Sequence, residues 1–174
     1  RDSFTINDLE IFVSENNDQL KEEYIDFSYI KITPQNLTGV NEFTNDYFKK
    51  IDELENRILN EESFDSIVTS LKIEPTIKTN INYDTNITEI EKKIYDTRNE
   101  AKIKILEEND FYILYSINEI KKIIPNLKEE KFKKKISNYL YEQKKYEFNK
   151  KIFDDINNGQ FNQTKFNKIG SKLG

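Results

Sequence analysis

The chain has 174 residues and a formal net charge of −5; 34% of it is charged, 36% hydrophobic and 13% aromatic. That length fits one domain with helical arms, and 12 Phe and 10 Tyr can furnish a modest core because each ring buries a large area. With no Cys and no His, the sequence excludes a disulfide, the usual zinc sites, a Ser-His-Asp triad and a Cys-His pair.

Charge is unevenly spread. Through Asp65 there are sixteen Asp and Glu against six Lys and Arg, a net of −10, so the remainder carries +5, much of it between Lys121 and Lys151. A basic segment can serve nucleic acid or an anionic membrane. Here Glu129, Glu130, Glu142 and Glu147 are interspersed, which favours a solvated helix face. No run approaches the roughly 18 apolar residues of a membrane span, and no signal peptide is visible. Arg1 at the start, with no Met anywhere, suggests a fragment or processed product.

Thr5 and Asp8 have the spacing of a capping box, and Ile6, Leu9, Ile11, Phe12 and Val13 predict a short helix ending near Asn16-Asn17. Asp26 to Thr33 reads as a strand burying Phe27 and Tyr29, with Ile30 and Ile32 as further candidates, closed by Pro34. After a polar loop, Phe43, Tyr47, Phe48, Ile51, Leu54 and Ile58 mark an amphipathic helix from about Val40 to Asn60. Ser63 caps a second helix, Ser63 to Leu71. Thr76, Ile77, Thr79 and Ile81 hint at an exposed strand, and Asn86 to Thr97 restarts as a helix.

Ala101 to Ile120 predicts a β-hairpin. Ala101, Ile103 and Ile105 alternate with polar residues, Glu107 to Asp110 supply a turn, and Phe111, Ile113, Tyr115 and Ile117 follow at period two. This hairpin is the apolar surface that the polar helices need. Pro125-Asn126 then opens a long helix, about Leu127 to Asn157, whose apolar stripe thins at Glu142 to Lys145. Asn157-Asn158-Gly159 is a C-cap signal. Phe64, Ile67 and Leu71 are echoed by Phe166, Ile169 and Leu173 at the same spacing, which raises either an internal repeat or the chance recurrence of helical spacing.

Several stretches, in this order, resemble the periplasmic parvulin-type foldases of the PpiD and SurA group. Thr5 to Asp26, with Glu15-Asn16-Asn17-Asp18, resembles the entry segment, and Phe27-Ser28-Tyr29-Ile30-Lys31-Ile32 resembles the first parvulin strand. Phe64 to Leu71 is similar to a family helix, Asp110 to Ile120 to the closing strand, and Pro125 to Phe132 to the start of the exit helix. The resemblance implies an α+β fold. Its small antiparallel sheet has a first strand about 26–33 and a hairpin about 101–117, packed by helices, with a long C-terminal helix. It also implies an entry segment 1–25, a divergent parvulin-like domain 26–124, and an exit region 125–174 that leads to a helical chaperone domain.

Active members of that family carry a His on the first strand and another on the last; those positions fall here on Tyr29 and on Ile113, or on Tyr112 if the register slips by one. The Gly-rich loop is also missing between Leu71 and Tyr95. The resemblance is therefore to a parvulin domain with little or no isomerase activity, without a cofactor or metal. It would hold unfolded or nascent polypeptide on Tyr29, Phe111, Tyr112, Ile113 and Tyr115, or by adding a client strand to an exposed first or last strand. The implied compartment is the periplasm, where some members of the family are tethered to the inner membrane by an N-terminal helix. An active prolyl isomerase and a helical scaffold are the rival readings; nucleic acid is not an implied partner.

Overall fold

The computed structural model describes residues 4–83 and 85–173, the side chains of Lys172 and Leu173 excepted. Their contacts divide the chain into two compact units, Glu22–Ile123 and the pair of terminal segments Arg1–Lys21 with Ile124–Gly174.

The central unit is α+β, a four-stranded antiparallel sheet packed by helices. Its elements run β1 (Glu22–Ile32), α1 (Pro34–Thr38), α2 (Asn45–Leu59), α3 (Phe64–Leu71), β2 (Thr76–Ile81), α4 (Glu89–Thr97), β3 (Ile103–Glu107) and β4 (Tyr112–Ile123), in sheet order β2-β1-β4-β3. β3 and β4 form the hairpin, its loop closed by a 2.9 Å bond from the Glu108 amide to the Phe111 carbonyl. β1 begins four residues before the predicted strand. Glu22 and Glu23 pair with Ile123 and Lys122, so the ladder extends a polar segment that lacks the alternation of a buried strand. The first and last strands are thus the two inner ones. β2 covers β1 only along residues 25–29 and β3 covers β4 in register only along residues 112–116; the outer edges of the sheet belong to β2 and β3.

Local chemistry accounts for the helix starts. Thr33 caps α1 in a reciprocal box with Asn36, a one-turn helix where a polar loop was expected, and Gly39 ends it at φ +81°, a left-handed conformation glycine adopts without steric cost. Thr44, Ser63 and Thr88 cap α2, α3 and α4 through their side-chain oxygens, and Glu91 completes the box of α4. α2 starts five residues later than predicted because the first side-chain cap is Thr44.

The sheet buries both faces. On one, Ile30, Ile32 and Leu114 meet Tyr47, Ile51, Leu54, Phe64 and Ile67 of α2 and α3. On the other, Ile25, Phe27, Ile113, Tyr115 and Ile117 meet Ile94 and Tyr95 of α4. Each fully buried aliphatic side chain contributes about 1.5–3 kcal/mol relative to exposure. The register shifts opposite Asp26, where Asn118 is an extra residue of β4 between the partners of Asp26 and Phe27, and the Asp26 carboxylate ties the sheet together. It accepts from the Asn80 amide at 2.7 Å and from Lys121 at 2.8 Å. Burial acts to raise the Asp26 pKa, and these two donors outweigh it, leaving it below its ordinary value.

The terminal unit is helical: α5 (Ile6–Glu15), α6 (Asn17–Leu20), α7 (Glu130–Asn157) and α8 (Gln163–Leu173). The predicted Thr5–Asp8 capping box forms at the start of α5. Leu9 and Leu20 bury against Phe132, Ile136 and Leu140 of α7. Beyond Leu140, Tyr141, Tyr146, Phe148, Phe153 and Ile156 of α7 are exposed. The echo between 64–71 and 166–173 is helical at both places, but Phe64 is buried and Phe166 exposed, and the side chain of Leu173 lies outside the described residues. No helix among the described residues is long and apolar enough to cross a membrane.

Candidate functional site

The β1–β4 pairing decides where the predicted residues meet. Tyr29 lies opposite Tyr115 and Lys31 opposite Ile113, so Tyr29, Ile113 and Tyr115 share one sheet face, with Ile113 diagonal to Tyr29. Phe111, just before β4, packs on the same cluster. Tyr112 projects from the opposite face, where its ring centroid lies 6.1 Å from that of Tyr47. Strand periodicity forces this split, since successive side chains alternate between faces. Of the two alternatives for the last-strand position, Ile113 therefore shares the face of Tyr29.

Within that face the residues differ in access. Ile113 and Tyr115 are fully buried beneath α4. The Tyr115 hydroxyl is 2.9 Å from the Thr97 hydroxyl, and burial pushes the phenol above its ordinary pKa. They form the floor. Tyr29 and Phe111 are half-buried and form a rim, Tyr29 tilted against Phe27 at 6.0 Å and Phe111 beneath the Lys31 ammonium at 5.0 Å. Such a cation–π contact at an accessible site is worth about 0.5–1 kcal/mol.

A polar edge completes the rim. Lys78 of β2 lies in register with Phe27 and places its ammonium 2.8 Å from the buried carboxylate oxygen Oε1 of Glu91, on α4. Lys78 and Glu91 form an ion pair through Oε1, and Oε2 accepts from the Thr88 amide at 2.8 Å. Burial raises the Glu91 pKa, but Lys78 and Thr88 together leave it below the ordinary value of 4.5.

Aromatic rings, an ammonium engaged on a ring and a tethered ion pair can hold an apolar side chain at a polar border. None of the residues named here pairs a nucleophile with a base. Sequence reasoning missed Lys31, Lys78 and Glu91. The Thr88–Glu91 box was legible as a helix start, but its link to Lys78 spans 13 residues and exists only after β2 and α4 pack. Compared with known proteins, the chain matches no family model, no curated protein and no solved structure.

Proposed function

We propose that the chain is a polypeptide-binding unit of the parvulin-type foldase kind, PpiD- or SurA-like, with little or no prolyl isomerase activity. The observation that carries this reading is the placement of Tyr29 and Ile113 at diagonal positions on one sheet face. The family resemblance puts the histidines of active members at Tyr29 and at Ile113 or Tyr112, and of the two last-strand positions Ile113 lies on the face of Tyr29. A tyrosine and a sealed isoleucine in those places leave a contact surface. Lowering the roughly 20 kcal/mol barrier to X-Pro rotation requires groups that favour a twisted imide, whereas holding a client needs only accessible apolar area beside polar groups. The half-buried rim of Tyr29 and Phe111 supplies that area, and the rest of the reading places the chain in the periplasm on a membrane-anchored parent.

The test pairs a prolyl isomerisation assay on a short X-Pro peptide with aggregation of a heat-denatured client. The expected result is an isomerisation rate equal to the uncatalysed one, with aggregation suppressed. Clear turnover lost on Tyr29→Phe or Tyr112→Phe would instead establish an active isomerase working without histidine. The exposed side chains of α7 beyond Leu140 favour a second reading, a scaffold on which further helices dock. In that case, neither isomerisation nor suppression would be seen.

A further inference from the structure

α7 carries apolar residues on more than one side. Phe132, Ile136 and Leu140 bury against Leu9 of α5 and Leu20 of α6, and α8 returns along another side, where Lys165 is 2.9 Å from Asp155. Between them runs a stripe that the described residues leave open. Tyr139, Tyr146 and Phe153 recur at seven-residue spacing and are 48%, 68% and 63% exposed. At 3.6 residues per turn, Asp155 points directly away from Tyr146, so α8 lies on the far side of the helix. A groove of about 400 Å³, lined by Phe12, Asn16, Gln19, Leu20, Tyr139 and Gln143, keeps the Tyr139 end accessible.

The residues on this face match in pairs about Tyr146. Three, four and seven positions to either side of it stand Gln143 against Asn149, Glu142 against Lys150, and Tyr139 against Phe153. All lie within about 60° of the line through Tyr146. Glu142 meets Lys145 at 3.5 Å and Gln143 donates to Glu147 at 3.2 Å, exposed contacts one turn apart that are worth little and can be exchanged. The face itself is neutral, because Lys144, Lys145 and Lys151 fall outside it. That disfavours nucleic acid and anionic lipid, which call for basic groups beside the aromatic ones.

We propose that this face joins two copies of the chain, their α7 helices packed antiparallel with Tyr146 on the two-fold axis. Such an axis brings each position level with its counterpart across Tyr146. Tyr146 then stacks on its own copy, Tyr139 meets the second copy's Phe153, and Glu142 meets the second copy's Lys150, the last two contacts occurring twice. A parallel pair would set Glu142 against Glu142 and Lys150 against Lys150, so the charges select the direction, as interhelical charges do in coiled coils. The aromatic pairs supply the attraction. The Gln143–Asn149 and Glu142–Lys150 layers cost stability, which makes the dimer weak, on the order of 100 µM, and leaves the face open in dilute solution. The proposal concerns the terminal unit and does not depend on the polypeptide-binding reading.

Sedimentation equilibrium of the whole chain, from about 10 µM to about 1 mM, should show monomer giving way to dimer. Tyr146→Glu should weaken association by about tenfold or more. Lys150→Glu should weaken it by about fivefold, and adding Glu142→Lys to the same chain should restore it. All three positions are exposed, and circular dichroism checks that each variant keeps its helix. Because the chain has no Cys, single cysteines report the direction. On oxidation, Tyr139→Cys and Phe153→Cys chains should cross-link to each other and not to themselves, since like positions sit about 21 Å apart along the axis. A monomer at every concentration would overturn the proposal and leave the stripe to a different protein. A dimer that Tyr146→Glu does not weaken, that the double exchange does not restore, or that cross-links like cysteines would overturn the antiparallel contact.

Discussion

Replacing Glu91 by Gln probes the ion pair at the edge of the aromatic face. Glutamine keeps the size of the side chain and can still accept from the Thr88 amide, so the capping box survives. What is lost is the charge facing Lys78. Breaking a fully buried pair costs about 3–5 kcal/mol, but Lys78 is 38% exposed and recovers much of its hydration. A loss of about 1–2 kcal/mol follows, which in a unit of this size lowers the melting temperature by roughly 5–15 °C. The pH dependence is the sharper readout. The Glu91 pKa is depressed in the folded chain, so its contribution is fully present above the ordinary value of 4.5 and is lost as pH falls through the lower folded value. Urea unfolding followed by circular dichroism from pH 7 to pH 3 should show the gap between wild type and E91Q narrowing as pH falls below the ordinary value of 4.5. A stability gap that stays constant over that range would refute the electrostatic account and assign the loss to packing.

The Glu62 carboxyl, held by the Arg57 and Ser66 hydrogen bonds, titrates at about 2, and an NMR pH titration should find its midpoint moving up toward the ordinary range in Arg57→Gln. The buried Tyr47 hydroxyl donates to the Ile32 carbonyl at 2.9 Å, and burial pushes its pKa up to about 12. Tyr47→Phe should cost about 1 kcal/mol by urea unfolding, since it removes one buried hydrogen bond and keeps the ring. Ile136→Ala, in the core shared by α5 and α7, should cost about 2–5 kcal/mol and speed amide exchange at Leu9. Limited trypsin should cut first between Lys144 and Lys151, where α7 has exposed side chains; protection there would mean that a partner covers the helix.

Much of the helical pattern could be read directly because its causes are local. Thr5 with Asp8, and Ser63, announce their helices within one turn, and the stripe of Tyr47, Ile51 and Leu54 names the buried face of α2. The hairpin was equally legible, since alternation and a polar turn are properties of adjacent residues. The extra lengths of β1 and β4 were not. Glu22–Glu23 and Lys121–Lys122 have no strand signature and are extended because each supplies the other's hydrogen bonds across about 100 residues of chain.

The candidate site divides the same way. Composition alone excluded histidine and cysteine chemistry, and residue order placed Tyr29 and Ile113 on the first and last strands. Register between those strands, a long-range property set by backbone pairing, decided that Ile113 rather than Tyr112 shares the face of Tyr29, and that Tyr115 is sealed beneath α4. The same register made the first and last strands the inner pair, leaving β2 and β3 as the open edges. The Lys78–Glu91 pair likewise arises only when distant elements pack. Identity and spacing fix which groups a chain carries; burial and neighbours, set by the whole fold, fix which of them can act.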